Sequence, residues 1–351
     1  MPLRVKFFPG LSGFVNPYWP MLKTALEAQS AVFDQSEDSS FRTKWLVDNR
    51  GKVDVLHFHY IQQFYVYESA RARPEWVLRF ARNLIIARVL GYRTVFTLHN
   101  LKPTNPLKPN WVDFVGHWAA ANLTNSVIVH CENARRALAA RYGRRRNVHT
   151  VFHPNYIGAY PNVTTREEAR ARLNLDFNQL VFAFLGGVRP NKGIERLVSS
   201  FRQITGDNYR LLIAGDPGLS SDYGERIRQL ASEDDRIRTY LQYVADDEIQ
   251  VYLNAADAVV LPFRSIQTSG SAILAMSFGK PVIAPILGCL PELIDSQAGI
   301  LYEPRDEASL TAALESANKL NLREMGRAAR QKVEQYSSDE AARRTLRAYL
   351  S

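Results

Sequence analysis

A chain of 351 residues exceeds the usual size of one hydrophobic core, so two domains are expected. With 46% apolar and 23% charged residues it has a globular composition, which excludes a disordered chain, and its apolar runs are too short to span a bilayer. The net charge of +9 is lopsided: residues 1–155 carry 21 Lys/Arg against 10 Asp/Glu, and the remainder 23 against 25.

In chain order, Met1 leads almost at once into the strand pattern "LRVKFF" (3–8) without a cationic, apolar leader, so a cytoplasmic protein is expected. The stretch "FFPGLSGFVNPYWPML" (7–22) reads as a strand end, a Gly-containing loop and a helix start. Further strands are expected at "AVFDQ", "VDVLHFH", "RTVFTLHN" and "SVIVHC", with apolar helical runs between most of them. Two Arg-rich segments, 70–93 and 133–146, have helical spacing. As solvated faces they need no partner. Their confinement to one half favours a surface facing anionic lipid, at roughly 1 kcal/mol per basic residue near such a membrane. No nucleic-acid motif accompanies the charge, so no nucleic-acid partner is expected. Cys131 and Cys289 lie far apart in sequence, have no metal-ligand companions, and read as reduced thiols.

The segment 153–175 opens with Pro, Asn, Gly and Tyr and becomes a charged helix capped by Thr164 or Thr165; it is the expected linker. Beyond it, the strands "LVFAFLGG", "YRLLIAGD", "IRTYLQYV", "AVVLPF" and "PVIAP" alternate with helices at about 193–204, 223–233, 246–255, 271–278 and 308–317. This alternation predicts two doubly wound α/β domains in series, residues 1–155 and 156–337, with ligands in the cleft between them. A last helix, 338–351, can pack on either.

Two stretches carry a chemical signal. In "FAFLGGVRPNKGIERLVSSF" (182–201) an apolar strand ends in Gly186-Gly187, a short loop supplies Arg189 and Lys192, and Gly193 opens an amphipathic helix. Glycines let the backbone approach a phosphate, the helix start offers free N–H groups, and the two cations neutralise charge. In "SIQTSGSAILAMSFG" (265–279) the turn Ser269-Gly270-Ser271 stands between a strand and a helix; Ser269 or Ser271 can cap that helix, leaving N–H groups for a diphosphate oxygen. A surface turn and a plain helix cap would use the same residues. No P-loop or dinucleotide fingerprint follows any strand. His57 and His59 end one strand and His99 another, positions where a histidine is more often a satisfied polar residue than a catalyst.

The ordered set "GGVRPNKGIERLVSSF", "NAADAVVLPF", "SGSAILAMSFGKPVIAP" and "GCLPELIDSQAGILYEPRDEASLTAAL" resembles the donor half of GT-B glycosyltransferases, above all glycosyltransferase family 4 and its bacterial polysaccharide-synthesis relatives. The likeness covers residues 180–336 and, more loosely, the first half. It implies a GT-B fold, two Rossmann-like domains facing each other across a cleft, with an acceptor-binding N-terminal domain and a donor-binding C-terminal one. It implies that Lys192 binds the donor diphosphate. The family's Arg, five residues before that Lys, falls on Gly187, so Arg189 has to reach in instead. It implies that the first loop, with Gly13 and Asn16, approaches donor and acceptor, and that His99 lies beside the reacting sugar as the catalytic candidate. The sequence departs from the family at its two glutamates, whose places fall on Ile266 and Leu274. With one residue deleted from the turn, Gln267 stands at the first of them, so Gln267 and Thr268 are expected to contact the sugar. Glu292 is the nearest carboxylate downstream.

The resemblance thus implies transfer of a hexose from a UDP- or GDP-sugar to a hydroxyl of a lipid-linked or polysaccharide acceptor, at the inner face of the plasma membrane. Neither metal nor cofactor is expected, because cationic side chains and helix starts meet the leaving-group charge. Retention of anomeric configuration would need no base; inversion would need one, from His99 or the N-terminal loop. Two other readings keep the fold: a non-catalytic sugar-nucleotide or glycan-binding subunit, against which the Arg189–Lys192 pair argues, and a nucleotide-sugar epimerase, which would call for acid/base carboxylates that these stretches lack.

Overall fold

The computed structural model describes residues 2–10, 16–34, 41–67, 71–102, 109–218 and 221–351. The chain divides into two units, Met1–Pro154 with Ser337–Ser351, and Asn155–Tyr336.

The first unit contains strands β1 (Leu3–Phe8), β2 (Ala31–Phe33), β3 (Val55–Phe58), β4 (Val66–Tyr67), β5 (Arg71–Ala72), β6 (Arg93–Thr97), β7 (Ser126–Val129) and β8 (Val148–Thr150). Six of them form a parallel sheet in the order β2-β1-β3-β6-β7-β8, while β4 and β5 pair with each other. Every residue of β3 and β7 is buried, as in strands covered on both faces. The helices Pro74–Val89 and Asn110–Leu123, which flank β6 in sequence, pack against each other. Helix Glu132–Tyr142 starts where the Ala134 N–H donates to Cys131 Sγ and stops at Gly143, whose φ of +76° suits a residue without Cβ. The final helix, Ser338–Leu350, is capped by Ser337 and packs on helix Tyr18–Ala28, with Tyr349 fully buried.

The second unit contains β9 (Leu180–Leu185), β10 (Tyr209–Ala214), β11 (Ile237–Tyr240), β12 (Ala258–Val260), β13 (Val282–Pro285) and β14 (Gly299–Tyr302), all parallel in the order β11-β10-β9-β12-β13-β14. Its entry helix, Arg166–Arg172, begins with a capping box between Thr165 and Glu168. From that helix Arg170 reaches inward, fully buried, and donates to Asp257 and to the carbonyls of Ala255, Asp176, Phe177 and Gln179. A buried guanidinium is tolerable only when satisfied in this way.

Elements beyond the sequence reading include the β4–β5 pair, helix Leu322–Glu334, and the sheet strands β8 and β14. The two strands are three- and four-residue edges, too short for a two-residue period to stand out. Neither cysteine is a free thiol, which corrects the expectation of two reduced thiols: sequence spacing alone does not fix a cysteine's redox state.

In each sheet the strand order reverses beside the first strand, between β1 and β3 and between β9 and β12. In open α/β sheets the crevice beyond the C-terminal strand ends at such a point is the ligand position.

Candidate functional site

At the β9/β12 switch point the residues of both sequence signals come together. Gly186 ends β9 with φ +145°, and a Cβ there would lie 3.3 Å from Ser271 Oγ, so the 269–271 turn stands directly beside the strand end. A Cβ on Gly187 would lie 3.4 Å from Arg189 Nε: the guanidinium folds back over the glycine. A Cβ at 187 would rest in ordinary van der Waals contact with that guanidinium. The turn Pro190–Lys192 follows, and Gly193, with φ +72°, lets the loop pass so near β12 that a Cβ would meet the Pro262 carbonyl at 2.1 Å.

Lys192 Nζ lies 4.7 Å from the centre of the Phe263 ring, a cation–π contact. Burial, with a smaller push from Arg189, lowers its pKa to about 8. Neither Arg189 nor Lys192 forms an ion pair among the described residues. Ser269, not Ser271, caps helix Gly270–Ser277 by accepting from Ala272 N–H at 3.1 Å. The N–H groups of Gly270 and Ser271 have no backbone partner among the described residues. Two unpaired cations and a capped helix start thus converge on one strand edge, an anion-binding arrangement.

The residues expected to read the sugar sit differently. Gln267 is buried, its Nε2 turned 3.8 Å from Cys289 Sγ, while its carbonyl accepts from Cys289 N–H at 2.8 Å. Thr268 Oγ1 also lies 3.8 Å from that sulfur. Glu292 is half-buried on the short helix Leu290–Leu293, one turn beyond. Ile266 and Leu274 pack against the apolar core.

In the first unit four neighbouring strands deliver histidines at or just past their C-terminal ends: His57 and His59 with β3, His99 after β6, His130 after β7 and His153 after β8. His57 bonds Tyr349 Oη at 2.8 Å and Thr97 Oγ1 at 2.7 Å. His59 Nδ1 meets His99 Nε2 at 3.1 Å, and His99 Nδ1 meets His130 Nε2 at 3.3 Å. His130 Nδ1 donates to the Val151 carbonyl at 2.8 Å and His153 Nδ1 to that of Pro154 at 2.8 Å. Tyr60 stacks on His99, and Trp19 stacks on Tyr60. Asn16 is exposed and accepts from Tyr18 N–H at 2.9 Å, opening helix Tyr18–Ala28; Gly13 lies outside the described residues.

Comparison with known proteins gives this geometry a family. Residues 179–318 match the family model Glycosyl transferases group 1. A GDP-mannose:glycolipid 4-beta-D-mannosyltransferase of Xanthomonas campestris pv. campestris is 26% identical over 85% of this chain and 79% of its own. A D-inositol 3-phosphate glycosyltransferase of Streptomyces bingchenggensis is 25% identical over 99% and 77%. The fold is that of sucrose-phosphate synthase from Thermosynechococcus elongatus (TM-score 0.74, 20% identity, 100% and 98% covered) and of Anabaena Alr3699/HepE in complex with UDP (TM-score 0.73, 17% identity, 99% of each chain). The chain has the GT-B fold, and residues 179–318 form a glycosyltransferase group 1 domain.

Burial dominates the electrostatics of the glycosyltransferase's histidines. It lowers His57 and His153 to about 3 and His130 to about 4, and holds His59 and His99 well below the ordinary imidazole value, so all five are neutral near pH 7. No group of three or more His, Cys, Asp or Glu able to hold a metal ion occurs among the described residues, and no helix there is long and apolar enough to cross a membrane. Sequence reasoning on this glycosyltransferase singled out His57, His59 and His99 but passed over His130 and His153. The signal was present, in that "VHC" and "FHP" repeat the placement of a histidine directly after an apolar strand seen in "LHN".

Proposed function

We propose that this glycosyltransferase moves a hexose from a nucleoside-diphosphate sugar to a hydroxyl of a lipid-linked or glycan acceptor at an anionic membrane surface. The observation that carries this reading is the pair of unpaired cations, Arg189 and Lys192, beside the helix start at Ser269–Ser271. Together they suit a diphosphate leaving group, whose negative charge grows as the glycosidic bond breaks. The named relatives support a hexose and a nucleotide donor: one is named for GDP-mannose and a glycolipid, and the HepE structures hold UDP or UDP-glucose. His99 is the residue expected beside the sugar, and no cofactor enters the scheme. Gln267 and Thr268, turned toward Cys289, would reach the sugar only after a side-chain rotation; the backbone N–H groups of the 269–271 turn need no such change. For the membrane, Leu78, Ile85 and Val89 on one helix and Trp111, Phe114 and Trp118 on its neighbour are exposed. Arg79, Arg82 and Arg88 are interleaved with the first set.

The test is binding and transfer with UDP- and GDP-hexoses. One nucleoside diphosphate should raise the melting temperature, and Lys192→Ala and Arg189→Ala should each weaken its binding about 10- to 100-fold, the worth of a charge-assisted hydrogen bond of about 1.5–3 kcal/mol. Parent-like binding by both variants would show the diphosphate assignment to be wrong.

A further inference from the structure

The three histidines His59, His99 and His130 have one possible arrangement of hydrogens when neutral. A carbonyl can only accept, so the bond to Val151 O puts a hydrogen on His130 Nδ1. The other nitrogen of a neutral imidazole is an acceptor, so His130 Nε2 receives the Nδ1–H of His99. By the same step, His99 Nε2 receives the Nδ1–H of His59. One backbone oxygen therefore sets the tautomer of three rings and leaves a single lone pair at the far end, on His59 Nε2. That atom is buried and has no hydrogen-bond partner. Leaving a buried acceptor unpaired costs free energy that a donor from outside the chain can recover.

The place of this lone pair matters as much as its existence. His59 follows β3, next to the β1/β3 switch point, and is 2% exposed among the rings of Phe7, Tyr18, Trp19 and His57. Tyr60, 43% exposed, stacks on both Trp19 and His99, the rings flanking His59, so the open end lies one ring beneath the surface. Both nitrogens of His99 are taken up in the chain, so a sugar can bond neither without breaking it. A base walled off from bulk water is reserved for a hydroxyl held against it.

We infer that His59 is the general base of glycosyl transfer, held in its working tautomer by His99 and His130, and that transfer therefore inverts the anomeric configuration. This rests on the hexosyltransferase reading above. As the acceptor oxygen bonds to the anomeric carbon, its proton passes to His59 Nε2. The bond from that carbon to the diphosphate breaks on the opposite face, and its electron pair leaves on the phosphate oxygen. The imidazolium keeps its Nδ1–H on His99, and its charge is shared toward His130 and the Val151 carbonyl. His99 and His130 are positioning residues.

The experiment combines long-range 15N–1H correlation of 15N-histidine-labelled protein with steady-state kinetics and product stereochemistry. At neutral pH all three rings should be Nδ1–H tautomers. His59→Gln should lower kcat about 100-fold or more, the low end of a general base's contribution, with the nucleoside-diphosphate thermal shift unchanged. His130→Gln, whose amide can donate to Val151 and accept from His99, should stay within about threefold of the parent. His130→Phe should lose about tenfold in kcat at unchanged donor KM, with the His59 tautomer mixed. An Nε2–H tautomer at any of the three in the parent, a His59→Gln enzyme as fast as the parent, or a product that keeps the donor's configuration overturns the inference. A parent that binds nucleoside diphosphate yet transfers no hexose defeats the hexosyltransferase reading itself, and is told apart because every other failure requires an active parent.

Discussion

Lys192 pays for its position with part of its charge. Half-buried against Phe263 and repelled by Arg189, its ammonium titrates near 8 rather than near 10.5. The protonated form is the one that binds an anion, so affinity should hold steady from pH 6.5 to 7.5 and fall as the pH rises through 8, by up to about tenfold per unit where one proton is lost. Isothermal titration with nucleoside diphosphate across pH 6.5–9.5 checks this, and Lys192→Met should flatten the profile; a parent curve already flat beyond pH 9 would contradict it. At this scale the sequence was legible in part. The spacing that put Gly187 where the family has Arg left Arg189 as the substitute, and its guanidinium lies beside Gly187. The hydrogen order of the histidine chain was not legible, because it depends on one carbonyl, that of Val151, lying 2.8 Å from one ring nitrogen. Nor could spacing show that Gln267 turns inward to Cys289.

Among the elements, central strands were the easiest to read. β3, β7 and β9 are near-continuous apolar runs, as strands covered on both faces must be. The edges β8 and β14 carry too few residues for a pattern, and their place comes from pairing with β7 and β13 rather than from their own sequence. Helices Pro74–Val89 and Asn110–Leu123 illustrate a different limit. Their buried faces follow from spacing, but that Trp111, Phe114 and Trp118 all point outward is a fact of packing. Taking Trp111 and Trp118 to Ser together should weaken binding to anionic vesicles about tenfold or more, since burying one large apolar side chain is worth about 1.5–3 kcal/mol. Vesicle sedimentation measures it. Equal binding by parent and variant, or parent binding indifferent to anionic lipid, would count against these helices as the membrane face.

For the molecule as a whole, all seven histidines lie in the first unit. Those after the strands are held neutral, His57 and His153 to about 3 and His130 to about 4. Below the ordinary value of 6.5 the unfolded chain binds protons that these rings refuse, so the first unit loses stability as pH falls from 6.5 toward 4, by about 1.4 kcal/mol per unit for each such ring. In the second unit the ion-paired Asp234 and Asp295 are held below 3.8, so their loss begins only in stronger acid. Scanning calorimetry at pH 7.5, 6 and 5 should show one transition moving down well before the other. Two transitions that shift together would refute the assignment.

The return of the chain to its first unit has a consequence for how the protein is made. The second unit is a single stretch, Asn155–Tyr336, whereas the first is closed only by Ser337–Ser351, with Tyr349 bonding His57 across 292 residues of chain. During synthesis the usual order of domain folding is from the N-terminus onward. Here the nascent first sheet waits, with the pocket for Tyr349 unfilled, until the last helix leaves the ribosome. The unit begun first is thus the last to be completed.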